Sequence, residues 1–165
     1  MLPGISFLEL LGYEEEEVER WRHWFQKQTQ KVLEVPVGEG ETATVRGLLV
    51  HIFNVEQRYA DRLLGLPPTP YESLRTSSLE EIFEIGAAAR EKLRRFLLRA
   101  TEEEFAKVVT FETRSAGTFS ASKRKIVAHA ILHGVRHWAQ IATALRQHGY
   151  RQDWQHDFLG TTVMR

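Results

Sequence analysis

The 165-residue chain contains no cysteine, and this absence excludes several kinds of site. There can be no disulfide bond, no thiolate metal ligand and no cysteine nucleophile. Any metal ion must therefore be held by histidine, aspartate or glutamate. A reaction that uses a thiol must take that thiol from a second substrate.

The chain also lacks an excess of charge of either sign, with 22 basic and 22 acidic residues. This balance argues against a nucleic acid or an anionic membrane surface as the main partner. No stretch approaches the roughly 18 consecutive apolar residues that a membrane-spanning helix needs. The N-terminal segment lacks the basic and apolar regions of a signal peptide. We therefore expect a cytoplasmic protein.

No phosphate-binding loop, dinucleotide fingerprint or serine-centred triad is recognisable in the sequence. Hydrophobic residues make up 42% and charged residues 27%, which is typical of a globular protein. The length fits one hydrophobic core, so we expect a single domain that covers residues 1–165.

Four long stretches carry apolar residues at helical spacing. The predicted helices run from about Tyr13 to Leu33, Thr44 to Gly65, Ser78 to Leu97 and Ser122 to His148. Between the last two, Val108–Thr113 is β-like and Ser115-Ala-Gly117 is typical of a turn, which predicts a small hairpin. The sequence therefore predicts an all-α fold, a four-helix bundle with a β-hairpin between helices 3 and 4.

The last predicted helix contains His133-Gly-Val-Arg-His137. Residues four apart are separated by about 40° around a helix and roughly 6 Å along it, so both rings can reach one ion. His129 lies one turn earlier, but three such histidines span about 12 Å and cannot share one ion. A third ligand must come from another helix, and His51 occupies a similar flank of the second helix. The spacing alone is also common by chance, and His51 alone is more typical of a boundary residue.

Other polar residues near these histidines have two interpretations. Glu56 lies in the apolar stripe of the second helix, where it acts either as a general base or as a buried ion pair with an arginine; the structural role is favoured. His129 and Gln140 either contact a metal-bound water or substrate, or are polar boundary residues. The glutamates of residues 14–17 are interpreted as acids near a helix N-terminus, where the helix dipole favours them.

Two blocks together resemble the DinB-like (YfiT-like) superfamily of metal-dependent enzymes: Leu48-Leu-Val-His51-Ile-Phe-Asn-Val-Glu56 and His129-x-x-x-His133-Gly-x-x-His137-x-x-Gln140-Ile. The resemblance covers nearly the whole chain. It implies an up-down-down-up bundle, frequently dimeric, with a nickel or zinc ion held by His51, His133 and His137. In the superfamily, Arg-Gly usually follows the last ligand, whereas this chain has Trp138-Ala139 there. The difference does not affect the three ligands, but the substrate of a relative does not carry over to this chain.

The resulting prediction is a metal-dependent enzyme that acts on a small molecule. The metal activates water for hydrolysis or a low-molecular-weight thiol for transfer, and some members of the superfamily are transferases that use bacillithiol or mycothiol. Glu56, His129 and Gln140 are the candidate catalytic residues. The alternative is a non-catalytic, dimeric helical bundle that is either stabilised by a metal or metal-free.

Overall fold

A computed structural model describes residues 4–74, 78–113 and 117–164. Within these residues the chain forms five α-helices and two strands: α1 (Phe7–Gln26), α2 (Val45–Leu63), α3 (Leu79–Arg99), α4 (Glu102–Ala106), β1 (Val108–Thr113), β2 (Gly117–Ser122) and α5 (Lys123–Gln147). Short 3₁₀ turns lie at Gln30–Glu34, Gly40–Thr42, Tyr71–Leu74 and Phe158–Gly160. The predicted four-helix bundle with a hairpin before its last helix is confirmed. The predicted turn at Ser115-Ala-Gly117 falls largely on residues 114–116, outside the described residues.

The predicted bounds of the first helix, Tyr13–Leu33, are wrong at both ends. The helix begins at Phe7 because Ser6 and Glu9 form a reciprocal capping box: each side chain accepts a hydrogen bond from the other's backbone N–H, at 3.2 and 2.6 Å. It ends at Gln26, and the chain then continues as the 3₁₀ turn Gln30–Glu34. The shift moves residues 14–17 from the first turn to the middle of the helix.

The other long helices begin and end close to the predicted positions. Thr44 caps α2, because its hydroxyl accepts a hydrogen bond from the N–H of Gly47. Ser78 caps α3 in the same way. Gly149 follows α5 with a φ of +83°, the left-handed conformation that glycine adopts most readily after a helix.

The composition of the two hydrophobic clusters defines the helix directions. One cluster combines the C-terminal half of α1, the N-terminal halves of α2 and α3, and the C-terminal half of α5; its members include Trp21, Leu49, Phe83 and Ile141. The other cluster combines the opposite ends, with Leu11, Leu63, Leu93 and Ile126. The topology is therefore up-down-down-up, and both α1 and α2 pack on α3 and α5.

The hairpin and the C-terminal segment cover opposite parts of the bundle. The strands are antiparallel, with Phe111 paired to Phe119, and the hairpin packs on the cluster around Leu63 and Ile126. The C-terminal segment lies against α1, where the ring of His156 stacks on Trp21 with centroids 5.2 Å apart. Of the helices in the described ranges, none has the length and apolarity needed to cross a membrane.

Two helix-interior glycines give a matched test of the packing between α2 and α3. A Cβ at Gly86 of α3 would lie 2.4 Å from the buried ring of Phe53, whereas at Gly12 of α1 the nearest atom is 3.4 Å away. We expect Gly86→Ala to lower the free energy of unfolding by about 1–3 kcal/mol, because the ring has no room to move. Gly12→Ala should change it by less than about 1 kcal/mol, in the stabilising direction. Urea denaturation measures both, and equal effects would contradict this close packing.

Candidate metal centre

Three histidines from two helices converge at the boundary of the bundle. His133 and His137 lie one turn apart on α5 and are buried, and His51 on the neighbouring α2 is half-buried. The Nε2 atom of His133 lies 3.1 Å from the Nε2 atoms of both His51 and His137. All three potential ligand atoms lie within 4.8 Å of one another. These residues are the three that the family resemblance assigns as ligands.

The arrangement of the nitrogens fits a metal ion. Nitrogens bound tetrahedrally at 2.0–2.1 Å are about 3.3 Å apart, close to the two separations of 3.1 Å here. A proton on Nε2 of His133 can form a hydrogen bond with only one of the two neighbouring nitrogens, Nε2 of His51 or Nε2 of His137. A cation would accept all three lone pairs, and a donor set of imidazoles suits divalent transition metals.

Burial keeps the three imidazoles in the neutral form that binds metals. Desolvation, followed by repulsion from His137, lowers the pKa of His51 to about 4. The same two causes lower the pKa of His133 to about 2. Desolvation also lowers the pKa of His137, although its hydrogen bond with Gln140 opposes that effect. At neutral pH all three rings are therefore neutral, which is the form that binds a metal.

Gln140 holds one of these rings in place. Its side-chain Oε1 lies 2.5 Å from Nδ1 of His137. A hydrogen bond donated by Nδ1–H fixes the tautomer in which Nε2 carries the lone pair. Gln140 is exposed one turn beyond His137, so it acts on the centre through this ring.

His129 and Arg136 lie on the outer side of the centre. Both are exposed, and they are seven residues apart, which places them on the same face of α5. The ring of His129 contacts His133, with centroids 5.8 Å apart, and Tyr59 of α2 at 5.2 Å. The guanidinium of Arg136 lies 3.1 Å from Nε2 of His137. Arg136 is not among the residues predicted from the sequence, although its position seven residues after His129 already places the two on one face of the helix.

Glu56 lies on the inner side of α2, away from the imidazoles. It is fully buried, and its carboxylate accepts a hydrogen bond of 3.1 Å from Arg90 of α3. No hydrogen bond joins it to the three histidines in the described part of the chain. The structure thus has the buried ion pair with an arginine that the sequence analysis favoured over direct catalysis.

Glu14 is a second buried acid that the sequence analysis misread as a residue favoured by the helix dipole. It lies in the middle of α1 with 2% exposure, and its carboxyl group interacts with that of Glu56, both by charge repulsion and by a side-chain hydrogen bond. Gly134, between the two ligands of α5, admits this close approach: a Cβ there would lie 2.0 Å from Oε1 of Glu14. With Ser6 as the N-cap of α1, Glu14 lies at helical spacing from the buried residues Leu11 and Val18.

Burial raises the pKa of Glu14 well above its usual value, and repulsion from Glu56 raises it further. Attraction to Arg90 opposes these effects, and Glu15 adds a smaller repulsion. Because the folded pKa is raised, folding is favoured below the unfolded pKa of 4.5. This stabilisation is lost as the pH rises through the folded pKa.

We therefore expect Glu14→Gln to match the wild type near pH 4 and to be more stable at pH 8. The difference at pH 8 should be about 1–3 kcal/mol, the usual cost of burying an ionisable group whose charge is not fully compensated. Urea denaturation at both pH values measures the change. Glu19→Gln, at an exposed position of the same helix, is the matched control and should show no such difference. A Glu14→Gln protein less stable than the wild type at pH 8 would refute a protonated Glu14.

Comparisons with known proteins agree with this arrangement. The DinB family matches residues 4–161. No curated protein matches the chain.

Two solved structures share the fold. A DinB-like protein from Bacillus subtilis is 13% identical, with a TM-score of 0.61 over 90% of this chain and 97% of the other. YfiT from Bacillus subtilis, described as a probable metal-dependent hydrolase with an unusual four-helix bundle topology, is 17% identical. Its TM-score is also 0.61, over 91% of this chain and 93% of the other. At these identities the similarity shows the fold, and the chemistry has to be argued from the residues of this chain.

Proposed function

Because the chain belongs to the DinB family, we propose that it is a metal-dependent enzyme whose ion is held by His51, His133 and His137. The observation that carries this proposal is the convergence of three neutral Nε2 atoms from two helices. The description of YfiT as a probable metal-dependent hydrolase agrees with it. Nickel and zinc are the ions we favour, since both accept imidazole ligands.

A divalent ion in such a site acts as a Lewis acid that lowers the pKa of a water or a thiol and polarises a carbonyl. The residues of the chain would position the reactants. Gln140 orients His137, and the buried helix packing behind the ligands keeps water from one side of the centre. His51, which is half-buried, leaves the other side open to a small molecule. His129 is exposed at this opening, within reach of a substrate.

Two reaction types suit this centre, hydrolysis and transfer of a low-molecular-weight thiol. Because the chain has no cysteine, the thiol would be a second substrate. Loading the protein with nickel or zinc and incubating it with esters and with alkyl electrophiles, with and without a thiol, separates the two reactions. Turnover that needs the thiol supports transfer, and turnover without it supports hydrolysis. No turnover above that of a His133→Ala control in either series would contradict both.

We also propose the homodimer and the cytoplasmic location that are expected from the sequence. Leu132 and Val135 of α5 are 65% and 36% exposed, and this apolar surface supports association with a second copy. Sedimentation equilibrium distinguishes a dimer from a monomer.

The ligand assignment predicts the metal content of variants. Protein purified without a polyhistidine tag should contain about one metal ion per chain, whereas His133→Ala should retain less than about a tenth of it, since two imidazoles bind a divalent ion far more weakly than three. His23→Ala, at an exposed histidine of α1, is the matched control and should keep the metal. Mass spectrometry measures the content and circular dichroism the fold.

The same variants test the non-catalytic alternative. Loss of the metal with the fold retained is the result we expect from an open catalytic centre. Loss of the metal together with melting of the helices would favour a metal that only clamps α2 to α5. Wild-type protein without metal, whose stability does not change when metal is added, would favour a metal-free bundle.

Gln140 should influence metal affinity without binding the ion. We expect Gln140→Ala to weaken zinc binding by about 10–100-fold, the usual effect of losing a partner that orients a ligand. Gln140→Glu should restore most of the affinity, because a carboxylate also accepts the Nδ1–H of His137. Competition with a chromophoric chelator measures both. Gln147→Ala, at the exposed end of α5, should bind like the wild type, and an equal loss in that variant would contradict the assigned role.

A further inference from the structure

Arg136 has an unusual location for a cation. One of its terminal nitrogens lies 3.1 Å from Nε2 of His137, the atom that faces the other two ligand nitrogens. Its charge also acts on His51, His129 and His133, where it contributes to lowering the pKa of each ring. The side chain is exposed, so it reaches the centre from the solvent side.

Among the described residues, no carboxylate pairs with the guanidinium of Arg136. In the described ranges, Arg136 has no acidic group within the 4.0 Å of an ion pair, whereas Arg124 on the same helix pairs with Glu102 at 2.5 Å. The positive charge is therefore available to a group that enters from solvent.

The three neutral imidazoles increase the importance of the positive charge on Arg136. Three neutral imidazoles bring no negative charge, so a divalent ion would keep its full charge beside the guanidinium. Two cations in a partly desolvated site repel each other strongly. An anion placed between them would remove the repulsion and be attracted by both.

We infer that Arg136 binds an oxyanion, a carboxylate or a phosphate group, on the small molecule that enters the open side of the three-histidine centre. The guanidinium presents parallel N–H donors that match the two oxygens of either group. This inference rests on the proposed function. It makes Arg136 a residue that selects anionic substrates.

Cobalt(II)-loaded protein provides a direct test, since its visible absorption changes when an anion enters the open position. The probes are acetate for the carboxylate and methyl phosphate for the phosphate, and the absorption is followed during titration. We expect Arg136→Gln to raise the dissociation constant of the preferred probe about tenfold or more, because a charge-assisted pair is lost. Arg136→Lys keeps the charge but loses the paired donors, so it should fall between the wild type and Arg136→Gln.

Arg146→Gln is the matched control, because it makes the same change ten residues further along α5, roughly 15 Å away. It should bind both probes like the wild type. The probe that depends more strongly on Arg136 identifies the oxyanion.

Cobalt content, measured before the titration, distinguishes a failure of the proposed metal site from a failure of the anion-binding role of Arg136. Wild-type protein that retains no cobalt would overturn the proposed function and this inference with it. Loaded protein that binds neither probe, or binds both equally well in Arg136→Gln, would overturn this inference alone.

Discussion

The packing of α2 against α5 determines whether the histidines form a centre at all. Phe53 of α2 and Trp138 of α5 meet in the core with ring centroids 5.9 Å apart, and both are almost fully buried. His137 immediately precedes Trp138, and His51 lies two residues before Phe53. Because buried rings in a close-packed core have little freedom, the contact that closes the core also sets the spacing of the imidazoles. A displacement of about 1 Å between these helices would be large compared with metal–nitrogen bonds of about 2 Å.

A buried polar cluster supports the ligand helix from behind. Each long helix contributes one residue to it: Glu14 from α1, Glu56 from α2, Arg90 from α3 and Gly134 from α5. Gly134 lies between the two ligands of α5, so the absence of a side chain there lets α1 approach the helix directly behind the centre. Buried charges favour a defined arrangement only when they are paired. Glu56 is paired with Arg90, whereas burial and repulsion from Glu56 raise the pKa of Glu14 well above its usual value.

The sequence predicted the fold well because its signals are local and strong. Apolar periodicity located α2, α3 and α5 and placed their ends close to the observed bounds. The error in α1 arose because the capping signal of Ser6 and Glu9 precedes a run of glutamates that resembles a solvent-exposed helix start. The spacing of His133 and His137 indicated one half of the centre. The identity of the third residue depends on which helices are neighbours, a tertiary property. The position of His51 on the flank of the second helix made it a candidate, and the family resemblance assigned it.

Charge is distributed unequally around the centre, and this asymmetry could not be read from a chain whose net charge is zero. Behind His133 and His137, Glu56 is paired with Arg90, and the raised pKa of Glu14 disfavours a second negative charge there. In front of them, Arg136 carries a positive charge that pairs with no carboxylate in the described part of the chain, and a bound ion would add to the positive charge there. Since the low dielectric of the core lies on one side and solvent on the other, the field extends mainly toward the opening. A net charge of zero therefore does not reveal this local asymmetry, and the anion selectivity that we infer for the centre depends on its position between the buried pair and an exposed cation.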